Sequence, residues 1–424
     1  MTSFTIMTVG YSPNYADSEQ MAGLLKEAKF ELLDDEEKAD IVIFNTCMVG
    51  PTESAFLAHL QELKEKQPYK IIIIAGCIPQ FNPSKVRQYS LLGNRSIHKI
   101  VEVVEEALHD NVLQMLEHDG MPPLDLPRVR RNPIVEILPI NRGCVECCFW
   151  SKPQQRESLV SYPMAEIIAE AGQALQDGVK EIWLTSQDAG CYGFDLGTDL
   201  PTLLKELVKL PGDFKIRIGT TNPEYLLKIK NGLFPLLLHP KIFQFLHLSV
   251  LAGNDYVLKK MTRNYTAEEF ISAVQELRAQ VPEITLMTDI TVGFPAETDE
   301  QHFDTLTLLR KTAPDVVNIS QFWRWPKTPA AKLESLSAEV VSHRSKVITD
   351  MFCNIAKIQN ERWLGWEGEI LIDEKGSEKE WIGRNYTYKP VKVEGDFVLG
   401  QKVKVKINSA GMFDLGGEVL KSQF

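Results

Sequence analysis

Short apolar runs alternate with amphipathic segments along most of this chain, and this alternation constrains the fold more than any other feature. Three β-branched runs are too short for helices, at 4–9, 39–44 and 70–75. Helical spacing occupies the segments between them, at 17–29 and 53–66. Strands that alternate with helices pair in parallel and carry the helices on their faces. The pattern therefore predicts an α/β domain with a parallel sheet over 1–120.

Small residues follow each of these three runs. The turns are Gly10-Tyr11-Ser12, Asn45-Thr46-Cys47 and Gly76-Cys77-Ile78. Open α/β sheets bind ligands at the carboxyl ends of their strands. The three turns therefore predict a binding edge.

A linker interrupts the alternation before it resumes. After Gly120, Pro and Arg concentrate at 121–133 with no apolar period, which is typical of a linker. Beyond it we predict six strands, at 135–140, 181–185, 214–218, 245–250, 284–291 and 316–322, with helices such as 164–176 and 267–280. Six such units predict a partial (βα)6 barrel over 134–361, whose site lies at the carboxyl ends of the strands. Short strands between glycines at 362–424 predict a small β-barrel of the kind that oligonucleotide binders use.

Apolar run lengths, the N-terminus and the cysteine count indicate the cellular compartment. No apolar run in the 424 residues approaches the roughly 20 needed to span a bilayer, and the N-terminus lacks the order of a signal peptide. We therefore expect a cytoplasmic protein with no membrane contact. In that reducing compartment, clustering among the seven cysteines indicates metal or redox chemistry rather than disulfides. The net charge of −11 argues against a general nucleic-acid binder but leaves room for a local basic face.

Three cysteines lie close together directly after the first strand predicted for the barrel. They are Cys144, Cys147 and Cys148. Thiolates are the ligands that soft metals and iron–sulfur clusters select, so we interpret these residues as candidate metal ligands. A set of buried free cysteines is the alternative, which adjacent cysteines at a strand-to-loop position do not favour.

Gln187 and Asp188 follow the second strand predicted for the barrel, where side chains face substrate or cofactor. A helix N-cap is an equally good interpretation of Asp188, because Ala189 and Gly190 follow it. His247 lies in a mostly apolar strand. That position is more typical of a core histidine with satisfied hydrogen bonds than of a catalytic base.

Lys402, Lys404 and Lys406 alternate with valines, so their ammonium groups share one face of a strand. The pattern alone favours a solvated edge strand protected by lysines. Contacts to RNA phosphates are the other interpretation, and such contacts would make binding sensitive to salt.

Several motifs make the chain similar to a known family over essentially its whole length. In the first part they are Asn14-Tyr15-Ala16-Asp17-Ser18-Glu19, Asn45-Thr46-Cys47 and Ala75-Gly76-Cys77-Ile78-Pro79-Gln80. In the centre they include Leu184-Thr185-Ser186-Gln187-Asp188, Thr288-Asp289 with Gly293-Phe294-Pro295, and Asn318-Ile319-Ser320-Gln321-Phe322. The family is the radical S-adenosylmethionine (SAM) methylthiotransferases. The chain most resembles the archaeal and eukaryotic branch that acts on threonylcarbamoyladenosine in tRNA.

This resemblance implies a fold, cofactors and a partner. The fold is an N-terminal α/β domain, a partial (βα)6 radical-SAM barrel and a C-terminal TRAM-like β-barrel that holds tRNA. The cofactors are S-adenosylmethionine and two [4Fe-4S] clusters, each on three cysteines. Candidate cofactor-binding residues are Gln187, Asp188, Asp289 and Gly293. The resemblance also favours RNA contacts for Lys402, Lys404 and Lys406.

The cluster positions that the resemblance implies are incompletely filled. The radical cluster takes cysteines spaced C-x3-C-x2-C, and here Cys144 and Cys148 fill two places while Ser151 stands at the third. The auxiliary cluster takes one cysteine after each N-terminal strand. Cys47 and Cys77 match, and Tyr11 stands at the first place. Serine and tyrosine are poor substitutes for thiolate, so each cluster lacks one ligand of the family pattern.

Other departures from the family pattern surround the predicted barrel mouth, at Glu157, Leu251, Ala252, Ala296 and Trp325. Scaffold residues match while site residues differ, which indicates an altered active site. Two hypotheses follow. In the first, irregular ligation by Cys144, Cys147 and Cys148 preserves the family reaction, insertion of a methylthio group at C2 of the hypermodified adenosine. In the second, which the residues favour, the chain is a non-catalytic tRNA-binding protein or a repurposed scaffold.

Overall fold

The computed structural model describes residues 1–48, 51–116, 120–143, 158–324 and 328–420. It divides into two compact units. The first comprises residues 1–132 and 137–142, and the second comprises residues 133–136 and 143–424. The boundaries at 120/121, 133/134 and 361/362 that the sequence suggests stay predictions.

The first unit contains the parallel sheet that the apolar runs predict. Its elements are β1 (Ser3–Val9), α1 (Ser12–Glu27), β2 (Glu31–Leu32), β3 (Ile41–Thr46), α2 (Pro51–Lys66), β4 (Ile71–Gly76), α3 (Cys77–Phe81), β5 (Ser90–Gly93), α4 (Ile100–Leu108) and β6 (Gln114–Met115). The strand order is β2-β1-β3-β4-β5-β6, and neighbouring strands run parallel. The α/β prediction for this part of the chain is confirmed.

Burial on both faces explains why these strands read as continuous apolar runs. Ile41 and Ile43 of β3 pack in one core with residues of α1 and α4. Val42 and Phe44, which alternate with them, pack in a second core with residues of α2. The sheet therefore leaves no polar face along β3.

The second unit begins with the six βα units predicted from the sequence. The remaining elements up to residue 361 are β7 (Val135–Pro139), β8 (Asn141–Arg142), β9 (Val160–Ser161), α5 (Met164–Gln176), β10 (Glu181–Thr185), α6 (Leu200–Leu207), β11 (Lys215–Ile218), α7 (Pro223–Leu236), β12 (Phe245–His247), α8 (Asp255–Lys260), α9 (Ala267–Gln280), β13 (Thr285–Val292), α10 (Asp299–Thr312), β14 (Val316–Gln321) and α11 (Ala338–Glu361). The chain passes from the second unit to the first within β7.

The six predicted strands form two sheets, β7-β10-β11 and β12-β13-β14. Isolated parallel bridges, Ile216 with Ile242 and Thr221 with Leu248, connect them. Helices α5 and α9 have the predicted bounds. The partial (βα)6 prediction is confirmed.

A closed β-barrel follows α11. Its strands are β15 (Glu367–Lys375), β16 (Glu380–Arg384), β17 (Pro390–Glu394), β18 (Lys402–Ala410) and β19 (Leu415–Val419), in the order β15-β16-β17-β19-β18. Alternate residues such as Ile370, Val391, Val405 and Leu415 fill its core. The small C-terminal barrel predicted from the glycine spacing is confirmed.

A buried ion pair joins this C-terminal barrel to the (βα)6 part of the same unit. Lys389 precedes β17, and its Nζ lies 2.8 Å from Oδ1 of Asp315, which precedes β14. Both side chains are about 5% exposed. The Lys389 ammonium also donates to Oδ1 of Asn360 at 2.7 Å, and Oδ2 of Asp315 accepts the N–H of Leu286 at 2.9 Å. Oδ2 of Asp315 also lies 3.6 Å from the Arg278 guanidinium, so removing Lys389 would leave Asp315 buried with one weaker partner.

In the portions of the chain that the structure describes, no helix is long and apolar enough to cross a membrane.

Lys389→Met should destabilise the second unit by about 2 kcal/mol, because it removes the nearest cation from the buried Asp315 carboxylate and leaves it only the Arg278 guanidinium at 3.6 Å. Urea unfolding of the full chain measures the change. Lys392→Met is the matched control, since Lys392 is half exposed and pairs with Asp414 at 3.0 Å. It should cost less than about 1 kcal/mol. Equal losses for the two variants would contradict the assignment, whereas partial recovery in a Lys389→Met, Asp315→Asn double variant would support it.

Candidate functional site

The carboxyl edge of the first sheet brings the N-terminal motif residues together. Val9, Thr46 and Gly76 lie side by side in the register of β1, β3 and β4. The following residues are therefore Gly10, Cys47 and Cys77, with Tyr11 one position further along. A Cβ atom on Gly10 would lie 3.0 Å from Cβ of Cys47, so the two chain segments are in close contact.

Two thiols and one phenol occupy the places at which the family pattern puts three cysteines. Tyr11 is 60% exposed and begins the turn into α1. No group of three or more His, Cys, Asp or Glu side chains suited to a metal ion occurs in the described part of the chain. This donor set does not fit a cluster held by three thiolates, because a phenol does not replace a thiolate at a soft metal centre.

The other predicted metal ligands lie outside the described residues. Cys144, Cys147, Cys148 and Ser151 fall within 144–157. Glu157 and Trp325, two of the departures around the predicted barrel mouth, also fall outside the described ranges.

A row of polar side chains begins just after β11 and crosses β12, β13 and β14. His247 Nε2 lies 2.9 Å from Oδ2 of Asp289, and His247 Nδ1 lies 2.9 Å from Oγ1 of Thr220. Asn318 Nδ2 donates to Oδ1 of Asp289 at 2.8 Å. The row runs Thr220–His247–Asp289–Asn318. It includes the predicted cofactor-binding residue Asp289, and sequence reasoning did not assign His247 to it.

Asp289 is held as a carboxylate. Burial alone would raise the pKa of Asp289, but hydrogen bonds from His247, Ser249 and Asn318 outweigh burial and hold it below its ordinary value. A carboxylate only accepts hydrogen bonds, so His247 Nε2 carries a proton. The row therefore presents an ordered set of donors and acceptors on one face of these strands.

The other predicted cofactor-binding residues have different environments. Asp188 caps the short helix Ala189–Cys191, and its Oδ1 accepts the N–H groups of Gly190 at 2.9 Å and Asn222 at 3.3 Å. Burial raises the pKa of Asp188 to about 7. Gln187 is exposed. Gly293 has φ of +79°, and a Cβ there would lie 2.7 Å from Val341. The N-cap interpretation of Asp188 matches this geometry, and cofactor binding by these residues stays a prediction.

Two substituted positions near the polar row have left-handed backbone. Leu251 has φ of +69° and Ala296 has φ of +60°. The family pattern has glycine at position 296, where such a φ is free of strain. Next to it, Glu297 forms a buried ion pair with Arg344, whose Nη1 lies 2.8 Å from Oε2. Non-glycine residues in this conformation cost on the order of 1 kcal/mol each, so replacing the family's glycine with Ala296 leaves strain in the loop after β13.

Glutamates of β15 neutralise most of the lysine row on β18. Lys402 pairs with Asp213 at 2.6 Å and Glu369 at 3.0 Å, and Lys406 pairs with Glu367 at 2.8 Å. Lys404 is exposed and forms no ion pair with any described residue. The alternation predicted from the sequence is present on β18, and the role of these lysines in RNA binding stays a prediction.

Comparison with known proteins assigns a class to this fold. Models of three families match the chain: an uncharacterised family, UPF0004, at residues 3–92, the radical SAM superfamily at 141–309, and the TRAM domain at 362–420. The central barrel is thus of the radical SAM type, and the C-terminal barrel is a TRAM domain.

The chain belongs to the threonylcarbamoyladenosine tRNA methylthiotransferase family. It is 37% identical to the protein of that name from Xenopus laevis, over 99% of this chain and 77% of that protein. A probable threonylcarbamoyladenosine tRNA methylthiotransferase from Pyrococcus abyssi is 36% identical over 92% of this chain and 93% of that protein. The resemblance seen in the motifs is confirmed.

A solved structure supports the fold at low sequence identity. The radical S-adenosylmethionine methyltransferase TsrM from Kitasatospora setae has a TM-score of 0.55 and 13% identity. The match covers 78% of this chain and 75% of that one.

Asp188→Asn should make the fold more stable than the parent at pH 8 and leave it unchanged at pH 4. The pKa of Asp188 is about 7 in the fold against 3.8 ordinarily, so the parent loses stability as the pH rises from about 4 to about 7, by roughly 4 kcal/mol at most, and no further above that. The amide oxygen still accepts from Gly190 and Asn222. Urea unfolding of both proteins across this pH range measures the difference. Asp199→Asn is the control, because Asp199 is a partly exposed N-cap, that of α6, and gives the cost of the same exchange without full burial. A pH-independent difference would contradict the buried-carboxyl assignment.

Proposed function

We propose that this chain is a tRNA-binding protein of the methylthiotransferase family in which methylthio transfer is lost or strongly impaired. The observation that carries the proposal is the carboxyl edge of the first sheet, where Tyr11 follows β1 while Cys47 and Cys77 follow the two neighbouring strands. The relatives are named for a reaction on threonylcarbamoyladenosine in tRNA. Their substrate class is carried over to this chain, and their chemistry is not.

Loss of the chemistry follows from ligand type. A [4Fe-4S] cluster needs thiolates on its irons, and the family pattern provides three for each cluster. Cys47 and Cys77 remain at the edge, but Tyr11 offers a hard oxygen donor on an exposed ring. At the radical cluster, Ser151 replaces a thiolate with an alcohol, which is a poor ligand at neutral pH.

Retention of tRNA binding is supported by the TRAM domain, which is closed and fully formed. Its charge is close to balanced, with nine Lys and Arg against ten Asp and Glu over 362–420. Binding to a polyanion therefore depends on which basic groups are free. Lys404 is the member of the β18 row that forms no ion pair with a described residue. Arg128, Arg130 and Arg131 add positive charge in the linker.

Tyr11→Cys should restore iron binding at the first sheet. After anaerobic reconstitution, this variant should hold about four more irons per chain than the parent, and adding Cys47→Ala should remove them. Tyr69→Cys is the matched control, because Tyr69 is an exposed tyrosine away from the sheet edge. Iron analysis and electron paramagnetic resonance measure the outcome. A parent chain that already holds about eight irons would refute the loss of chemistry and favour irregular ligation by Cys144, Cys147 and Cys148.

Lys404→Gln should weaken tRNA binding more than Lys402→Gln or Lys406→Gln. A lysine paired with glutamate has its charge neutralised and must break an ion pair to reach a phosphate, whereas Lys404 needs no such exchange. The slope of log K against log salt should fall by about one unit for Lys404→Gln and by less for the other two. Fluorescence anisotropy with labelled tRNA over a salt series measures the slopes. Equal slopes for the three variants would show that the Glu367 and Glu369 pairings do not govern binding.

A further inference from the structure

Arg217 on β11 is a partly buried arginine held by aromatic rings. Its guanidinium carbon lies 5.0 Å from the ring centroids of Trp183, Phe245 and Tyr388. Trp183 is its register partner on β10, and Phe245 belongs to β12. Ring faces stabilise a cation without giving its N–H groups an acceptor.

The Arg217 donors lack an acceptor among the residues that the structure describes. No hydrogen bond or ion pair reaches the guanidinium there, and its Nε is buried without a partner. Arg344 also has an unpartnered Nε, but its guanidinium pairs with Glu297 at 2.8 Å, and that of Arg384 pairs with Asp373 at 2.9 Å. Arginine stays charged in proteins and buried donors are normally satisfied. Arg217 therefore holds donors available for an anion.

A loop of the TRAM domain completes this arrangement. Tyr388 has φ of +65°, a strained conformation for a non-glycine residue. Oδ1 of Asn385 accepts the N–H groups of Thr387 at 3.0 Å and Lys389 at 2.9 Å, which fixes the loop. The strained residue is thus the one whose aromatic ring lies on Arg217. The Tyr388 ring also lies 4.9 Å from the Arg384 guanidinium, so the loop fixes an aromatic wall between the two arginines.

The surroundings favour a carboxylate over a phosphate. Glu181 is buried two residues before Trp183 and interacts electrostatically with Arg217 without forming an ion pair, and the carboxyl of Asp373 lies near Glu181. Two acidic groups disfavour a dianion, while one planar carboxylate matches the fork of a guanidinium. His247 lies two residues after Phe245, on the same face of β12, and Asp289 lies beside it on β13. Both side chains offer hydrogen bonds to the rest of such a ligand.

We propose that Arg217 binds the carboxylate of a ligand that lies on this face of the barrel. The inference rests on the proposed function for one ligand with that group, the modified adenosine, and on the radical SAM barrel for a second, S-adenosylmethionine. The threonylcarbamoyl side chain of the modified adenosine ends in a carboxylate, and so does the amino-acid part of S-adenosylmethionine. Each ligand also carries polar groups that the Thr220–His247–Asp289–Asn318 row would hydrogen-bond.

Calorimetric titration of the full chain tests the proposal with two ligand pairs. The first pair is N6-threonylcarbamoyladenosine and its methyl ester, and the second is S-adenosylmethionine and its decarboxylated analogue. We expect the parent to bind the carboxylate member of at least one pair about tenfold or more tightly, as a charge-assisted bidentate contact implies. The pair that shows the preference identifies the ligand.

Arg217→Met should abolish the preference, and Arg217→Lys should restore part of it, because an ammonium keeps the charge without the fork. Arg310→Met is the matched control, since Arg310 also lies over a ring, that of Phe303 at 5.6 Å, on the exposed side of α10. It should keep the full preference. Circular dichroism confirms that each variant folds.

The outcomes separate this inference from the proposed function when tRNA binding is measured on the same preparations. A chain that binds tRNA but prefers neither carboxylate overturns the Arg217 site and leaves the proposed function intact. A chain that prefers a carboxylate but does not bind tRNA overturns the proposed function and leaves the Arg217 site intact. A preference that survives Arg217→Met also overturns the proposal.

Discussion

Parallel strands in register end together, so residues far apart in sequence meet at one edge of a sheet. In the first sheet, the pairing of Val9, Thr46 and Gly76 places Gly10, Cys47 and Cys77 side by side. The central barrel obeys the same constraint, because the pairing of Asp289 with Asn318 continues the polar row across strands. The backbone decides where a site lies, and single side chains decide its chemistry. Tyr11 follows its strand and is exposed, so it changes the donor set without disturbing the sheet.

Periodicity predicted the elements whose burial follows a regular pattern. Residues 41–46 are buried on both faces and read as a continuous apolar run, and α9 begins at a capping box of Thr266 and Glu269. The strands β16 and β19 were not predicted, because Glu380–Arg384 and Leu415–Val419 mix glycine and charge with few apolar residues. Their pairing within a closed barrel stabilises them, and a local pattern does not contain that information.

Much of the candidate site depends on pairings over long separations, which explains why the sequence predicted it only in part. The motifs identified Asp289, but its bond to His247 spans 42 residues. The alternation on β18 placed Lys402 and Lys406 on one face, yet their glutamate partners lie on another strand. Substituted positions such as Tyr11 and Ala296 were visible as departures from a pattern. The strain at Ala296 needed the backbone angle.

The buried Lys389–Asp315 pair has a consequence for how such chains can diversify. Suppose that recombination at the end of α11 replaced this TRAM domain with that of a relative. The new barrel would then need a lysine at position 389 that pairs with Asp315. The donor barrel would also need an aromatic residue where Tyr388 meets Arg217. The TRAM domain and the (βα)6 barrel are therefore expected to be inherited together, because a buried ion pair connects them. Sequence drift at position 389 should be tolerated only when position 315 changes with it.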